Sequence, residues 1–230
     1  MNNYIKISDE WKQYDWSKES RWNHLKRHSN YHFDESRAPV PGHDSYTYVG
    51  NFADDFDEAI KTCSARCIDF AEWAQINSYD FNQANVSPDF VVYSRTKVDD
   101  IPVLMNIEEQ IGMHDCHTRY NLQRLGQTVP DHIDDIFGRN TPGPDPHPEE
   151  VRRFVIMLDD WHRGQIFQVG NASWTNWKKG DCITWEWNDM PHSTCNFGWA
   201  DRPMLQITGY MTDKSRALLS KAEENLNGLQ

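Results

Sequence analysis

No stretch of this 230-residue chain approaches the roughly 18 consecutive apolar residues that a membrane helix needs. The opening Met1-Asn2-Asn3-Tyr4-Ile5-Lys6 carries no apolar signal-peptide segment, so the expected location is the cytoplasm. Cysteine is scarce: Cys63, Cys67, Cys116, Cys182 and Cys195 are too few and too scattered for a disulfide framework, and their odd number leaves a thiol over. Basic charge is short as well, with 23 Lys+Arg against 35 Asp+Glu and a formal net charge of −12 at pH 7. Such an excess of acid repels phosphodiesters and anionic lipid heads, which argues against nucleic acid or a membrane surface as partner.

What the chain does have is aromatic weight. A composition of 13% aromatic and 38% hydrophobic residues excludes a disordered polymer. Its length fits a single domain over 1–230. Within it we expect an N-terminal arm and helical support over 1–115, a β core over 116–212, and a closing helix over 213–230. Residues 1–50 hold Trp11, Trp16, Trp22, Tyr31, Tyr46 and Tyr48 with no sustained period, and read as an arm packed over a body. Phe56, Ile60, Cys63, Cys67, Phe70 and Ala74 recur at steps of three and four, which predicts one amphipathic helix over 54–77. Cys63 and Cys67 are then helix-face residues rather than a redox pair. Residues 90–94 are a short β candidate, and Val103 to Ile111 a further helical turn or two. Beyond 115, short β-branched and aromatic runs predict strands at 120–125, 129–134, 153–158, 166–169, 182–187 and 204–211. Four prolines make 138–148 a loop. The sum is a mainly β sandwich or barrel with flanking helices.

The chemistry concentrates late in the chain. His132 and Asp134 stand two apart on a predicted strand, so both leave one face of the sheet and can share a metal. Alone the triplet is weak, because a chain with ten histidines and many aspartates yields one by accident, and His32-Phe33-Asp34 is another. His192 follows a turn (Asn188-Asp189-Met190-Pro191) and offers a third ligand, and Arg202, ten residues on, opens a strand. Two imidazoles and one carboxylate on one face of an octahedral ion form the arrangement of non-haem Fe(II) oxygenases. Blander readings compete: His132 as a turn histidine, His192 as a strand end, Arg202 as a surface partner of Asp201 or Glu186. The run His114-Asp115-Cys116-His117 looks like a metal knot but lacks the second pair of a zinc site, and reads as polar residues before a strand.

In His132-Ile133-Asp134, His192 and Arg202 the chain resembles the Fe(II)/2-oxoglutarate-dependent oxygenase superfamily, whose signature is His-x-Asp, a distal His and an Arg or Lys some ten residues later. The likeness spans about residues 120–212, includes the Gly126-to-His132 lead-in and the Trp177-x-x-Gly180 turn, and is nearest the aspartyl/asparaginyl and prolyl hydroxylase branches. It implies a double-stranded β-helix (jelly-roll, cupin-like) with Fe(II) held by His132, Asp134 and His192 in the open mouth. It also implies 2-oxoglutarate as cosubstrate, its C5 carboxylate gripped by the Arg202 fork. Asn121 and Arg153 would add cosubstrate contacts. Met204 stands where many members carry Ser or Thr, so a second contact to that carboxylate must come from elsewhere, with Tyr120, Arg124, Gln206 and Thr208 in reserve. The implied reaction uses O2 to hydroxylate an unactivated C–H of a peptide or protein side chain or a small metabolite, releasing succinate and CO2. The carboxylate at Asp134 favours hydroxylation over halogenation. Two other classes stay open: a catalytically silent barrel that keeps a metal for structure, and a cupin-like hydrolase or isomerase.

Overall fold

The computed structural model describes residues 45–76, 93–132, 151–186 and 190–227. Two antiparallel sheets face each other. The larger runs, in spatial order, β1 (Thr47–Asn51), β9 (Asp181–Thr184), β6 (Val151–Met157), β11 (Arg202–Met211), β4 (Met113–Gln123), β3 (Ser94–Lys97) and β2 (Ile68–Asp69). The smaller runs β5 (Thr128–His132), β10 (His192–Asn196), β7 (Gln165–Val169) and β8 (Ala172–Trp174). From β4 onward the chain crosses repeatedly between the sheets, with only β7 and β8 consecutive in one of them. The facing orders β9-β6-β11-β4 and β5-β10-β7-β8 that result are those of a jelly roll wound as a double-stranded β-helix. β1, β2 and β3 widen the larger sheet beyond that unit.

Strand alternation explains why the larger sheet is buried on both faces. Along β11, Leu205 and Ile207 point outward and join Tyr120, Leu122, Phe154 and Ile156 beneath Phe56 and Cys63 of the first helical region and Leu104, Ile107 and Ile111 of the second. Those helices are α1 (Asp57–Arg66) and α3 (Pro102–Ile111). Between the sheets lie Val155, Met157, Phe167, Val169, Ile183, Trp185 and Met204, a second apolar cluster. α4 (Asp213–Asn227) closes the chain against β1 and α3.

Several elements differ from expectation. The single helix over 54–77 is instead α1 and a short α2 (Phe70–Ile76), because Cys67 turns extended (φ −61°, ψ 132°). Ile68 and Asp69 then pair with Arg95 and Ser94 as an edge strand. Ser94 Oγ donates to Asp69 Oδ1 at 3.2 Å and the Phe70 amide to Tyr93 O at 2.9 Å, sheet and side-chain bonds that replace the helical ones. β3 starts only at Ser94, and residues 90–92 lie outside the described residues. β4 starts at Met113 and absorbs His114 to His117 into a strand. β1 and β8 were not expected at all. Residues 1–44, the loop 138–148 and Asp134 also lie outside the described residues.

The turn before β9 depends on Gly180, whose φ is +87°. Its amide donates to Met157 O at 2.7 Å, and its carbonyl accepts from Phe52 N at 2.8 Å. A Cβ there would sit 2.2 Å from Ala53 N, a backbone atom that cannot swing aside. Gly180→Ala is therefore expected to destabilise by about 2 to 4 kcal/mol, read as a lowered urea midpoint at unchanged m-value.

Candidate active site

β5 and β10 are antiparallel neighbours, and their register sets His132 opposite His192. The two rings lie with centroids 4.3 Å apart and planes at 47°. Each Nδ1 faces a backbone carbonyl two residues earlier, His132 to Pro130 O at 2.8 Å and His192 to Met190 O at 3.3 Å. A carbonyl only accepts, so in each ring Nδ1 carries a proton, and in the neutral ring the lone pair then falls on Nε2, the tautomer in which histidine ligates a metal. His192 is buried, with Trp185 at 4.7 Å and Phe167 parallel to it at 6.4 Å. These aromatic walls shield one side of the pair from water. Asp134 lies outside the described residues, and among the described residues no three His, Cys, Asp or Glu side chains gather.

Thr194 follows His192 by two residues on β10 and so shares its face. Its hydroxyl donates to Gln123 Oε1 at 2.7 Å. Arg202 is the register partner of Gln123 at the start of β11. Its Nη2 donates to Gln123 Oε1 and Thr194 Oγ1, and its Nη1 to Ile166 O at 2.9 Å. The side chain is 1% exposed, and neither its Nε nor Gln123 Nε2 has a partner. Every acceptor around the guanidinium is a neutral dipole. Burial pulls its pKa down to about 9, with only the Cys195 thiol acting in the opposite sense. Arg202 is thus no surface partner of Asp201 or Glu186; Glu186 pairs with Arg152 instead.

Asn121 and Arg153 both lie on the inner face of the larger sheet, opposite Met204 and Thr208 of β11. Gln206 stands between them. Its amide meets the Asn121 amide at 3.0 Å and, with its oxygen turned to the guanidinium, accepts from Arg153 Nε at 2.8 Å and Nη1 at 2.9 Å. Arg153 Nε also lies 3.0 Å from Thr208 Oγ1. Asn121 is one strand step from the Arg202–Gln123 pair. Arg153 is set apart from it, since its partner Thr208 stands roughly 20 Å along β11 from Arg202. Of the reserve residues, Tyr120 points to the opposite face, its hydroxyl 2.7 Å from Ser64 Oγ under α1, and leaves the site. Arg124 donates to Ser94 Oγ at 2.9 Å beside β3, while Gln206 and Thr208 remain on the inner face. The residues that sequence reasoning missed are Thr194 and Gln123. Each lies two positions from a residue already singled out, His192 and Asn121, and that spacing was the available signal.

No family model and no curated protein matches the chain. Among solved structures it is similar to the viral collagen prolyl hydroxylase of Paramecium bursaria Chlorella virus-1, solved as its 2OG complex. That likeness has a TM-score of 0.48 at 10% identity, over 76% of this chain and 100% of that one. A Pseudomonas putida prolyl-4-hydroxylase gives a TM-score of 0.42 at 10% identity, over 74% of this chain and 94% of that one. A cupin 2 conserved barrel domain protein from Salinispora arenicola gives 0.31 at 9% identity, over 62% and 94%. The fold itself rests on the strand order described above.

Proposed function

We propose that the chain is an Fe(II)- and 2-oxoglutarate-dependent dioxygenase that hydroxylates an unactivated C–H of a peptide or protein side chain or a small metabolite, releasing succinate and CO2. The observation that carries this reading is Arg202: a fully buried guanidinium with neutral acceptors only, beside a second buried donor, Gln123 Nε2, that has no partner. A buried cation without an anion costs several kcal/mol, and two unpaired donors add to it. A carboxylate entering between them answers all three deficits, and a diacid suits the depth, because Arg202 Nη2 meets Thr194, which stands one strand step, roughly 7 Å, along β10 from His192.

The residues divide the work accordingly. His132, His192 and Asp134 would hold the iron, which when bound with 2-oxoglutarate supplies the oxidation by O2. The Pro130 and Met190 carbonyls orient both imidazoles through Nδ1–H, which leaves Nε2 as the atom each ring would offer to the metal. Arg202 takes the C5 carboxylate with parallel charge-assisted bonds. Gln123 and Thr194 supply the second contact that Met204 cannot. Trp185 and Phe167 keep water from one flank of the centre.

The test is direct. Protein supplied with Fe(II), ascorbate and 2-oxoglutarate in air is expected to form succinate even without a primary substrate, and His132→Ala to abolish it. A silent module would bind metal and give no succinate above that control. A hydrolase or isomerase would keep its activity without oxygen.

A further inference from the structure

A second group of cations, which the reading above leaves unused, lines the inner face of the larger sheet. The register sets Arg95 opposite Asn121, Lys97 opposite Arg119, and both His117 and Arg153 opposite Thr208. Directly paired residues share a face, so three strands turn these five side chains the same way. In a chain of net charge −12 such a concentration is not a general property of the surface.

Two of the cations are held at a cost. Arg119 is 7% exposed, donates from Nη1 to the adjacent Thr118 O at 3.0 Å, and has no partner for Nε. Arg95 Nε is likewise buried without a partner, and its Nη1 reaches the Tyr93 hydroxyl at 3.3 Å. Neither guanidinium has a carboxylate within ion-pair distance among the described residues. Asp100 is taken by Arg66 at 2.7 Å, and Asp99 acts on Arg119 only as a more distant charge. Burial and the Arg95 charge bring Arg119 down to about 10. His117, partly stripped of water and faced by Arg119, Arg95, Arg153 and Lys97, is pulled down to about 4 and is neutral at pH 7. Trp73 backs the pair, its ring 4.3 Å from the Arg95 guanidinium carbon and 6.0 Å from that of Arg119. An aromatic face holds a guanidinium in orientation without neutralising it.

We propose that Arg95 and Arg119, backed by Trp73, form a binding site for an oxyanion group, carboxylate or phosphate, on the primary substrate. Their planar forks match such a group with paired charge-assisted bonds, and the unpaired Nε donors are the ones an oxyanion would fill. The site is distinct from Arg202, since Gln206, the register partner of Arg119, lies roughly 13 Å along β11 from it. Calling the ligand the substrate rests on the oxygenase reading; the anion site itself does not.

The experiment titrates inorganic pyrophosphate and citrate separately into the metal-free full-length protein by calorimetry at low ionic strength. Saturable one-to-one binding of at least one probe is expected, weakened tenfold or more by Arg119→Met and by Arg95→Met, and weakened by salt. Arg202→Met should leave it within about a factor of two. A preference for pyrophosphate assigns a phosphate-bearing substrate, and a preference for citrate a carboxylate-bearing one. Because Arg119→Met removes a buried like charge, its melting temperature should be no lower than that of the parent, which separates lost binding from lost folding. Arg119→Lys, which keeps the charge without the fork, serves if the Met variant fails to fold, and should bind at least threefold more weakly. Absence of saturable binding, or its loss in Arg202→Met alone, overturns the proposal. Succinate formation is scored apart: pyrophosphate bound without succinate leaves the anion site standing, and succinate without anion binding leaves the oxygenase reading standing.

Discussion

Arg202→Met is expected to weaken the apparent affinity for 2-oxoglutarate by roughly 30-fold or more while leaving the melting temperature of the ligand-free protein unchanged or higher. The two halves come from one cause. In the proposed complex the guanidinium and the diacid's carboxylate would form a desolvated pair, and truncating one member of such a pair costs about 2 to 5 kcal/mol, mostly through the charge left behind. Without it, Arg202 is a buried cation answered by Gln123, Thr194 and the Ile166 carbonyl, all neutral. Methionine has a similar reach and no charge to desolvate, and exchanges of buried charge for apolar volume are often neutral or stabilising. A purely structural arginine would behave in the opposite way: loss of its three hydrogen bonds would lower the melting temperature and leave the cosubstrate requirement untouched. Thermal melts with and without 2-oxoglutarate, beside the concentration dependence of succinate formation, read both halves. An unchanged dependence would remove Arg202 from the site.

The parts of the fold legible in the sequence are those whose pattern runs unbroken. α3 and α4 each carry one helical period from end to end, and β11 reads as a strand buried on both faces. The helix expected over 54–77 failed for an instructive reason. The steps from Phe56 through Cys63 to Ala74 remain helical in spacing across Cys67 to Asp69, and nothing local reveals that Ile68 and Asp69 will be drawn out to pair with Arg95 and Ser94. β8 is three residues long, too short for alternation to register. The same division holds in the site. His132, His192 and Arg202 could be singled out because the metal and carboxylate chemistry expected of them restricts residue type; the structure sets the two imidazoles side by side and buries the guanidinium. Gln123 and Thr194 could not be, because neither type announces a role, and their convergence on Arg202 needs the β4–β11 register and the approach of the smaller sheet. The cations around Arg119 were invisible for that reason too: they come from β3, β4 and β6, and only strand pairing collects them. Net charge, a sum over the whole chain, carries no sign of such a local concentration of cations.

The histidine pair carries the other large effect. His192→Ala and His132→Ala are each expected to weaken Mn(II) or Fe(II) binding by roughly 100-fold or more and to abolish succinate formation, since a three-ligand centre reduced to two loses both affinity and the geometry that leaves sites open for cosubstrate and O2. Their effects on the metal-free protein should differ. His192 is 4% exposed and wedged against Trp185 and Phe167, so its removal leaves a hole that costs about 1 to 3 kcal/mol. His132, half-buried on the edge strand β5, should cost less than about 1 kcal/mol. A metal that binds only the folded state adds about 2.7 kcal/mol at 100 times its dissociation constant, so Mn(II) should raise the melting temperature of the parent and of neither variant. This pattern distinguishes a metal centre from a pair of histidines that merely packs: packing alone predicts a loss at His192, little at His132, and no metal-dependent shift in any of the three proteins. A full Mn(II) shift in both alanine variants would place the cation elsewhere, and the oxygenase reading would lose its centre.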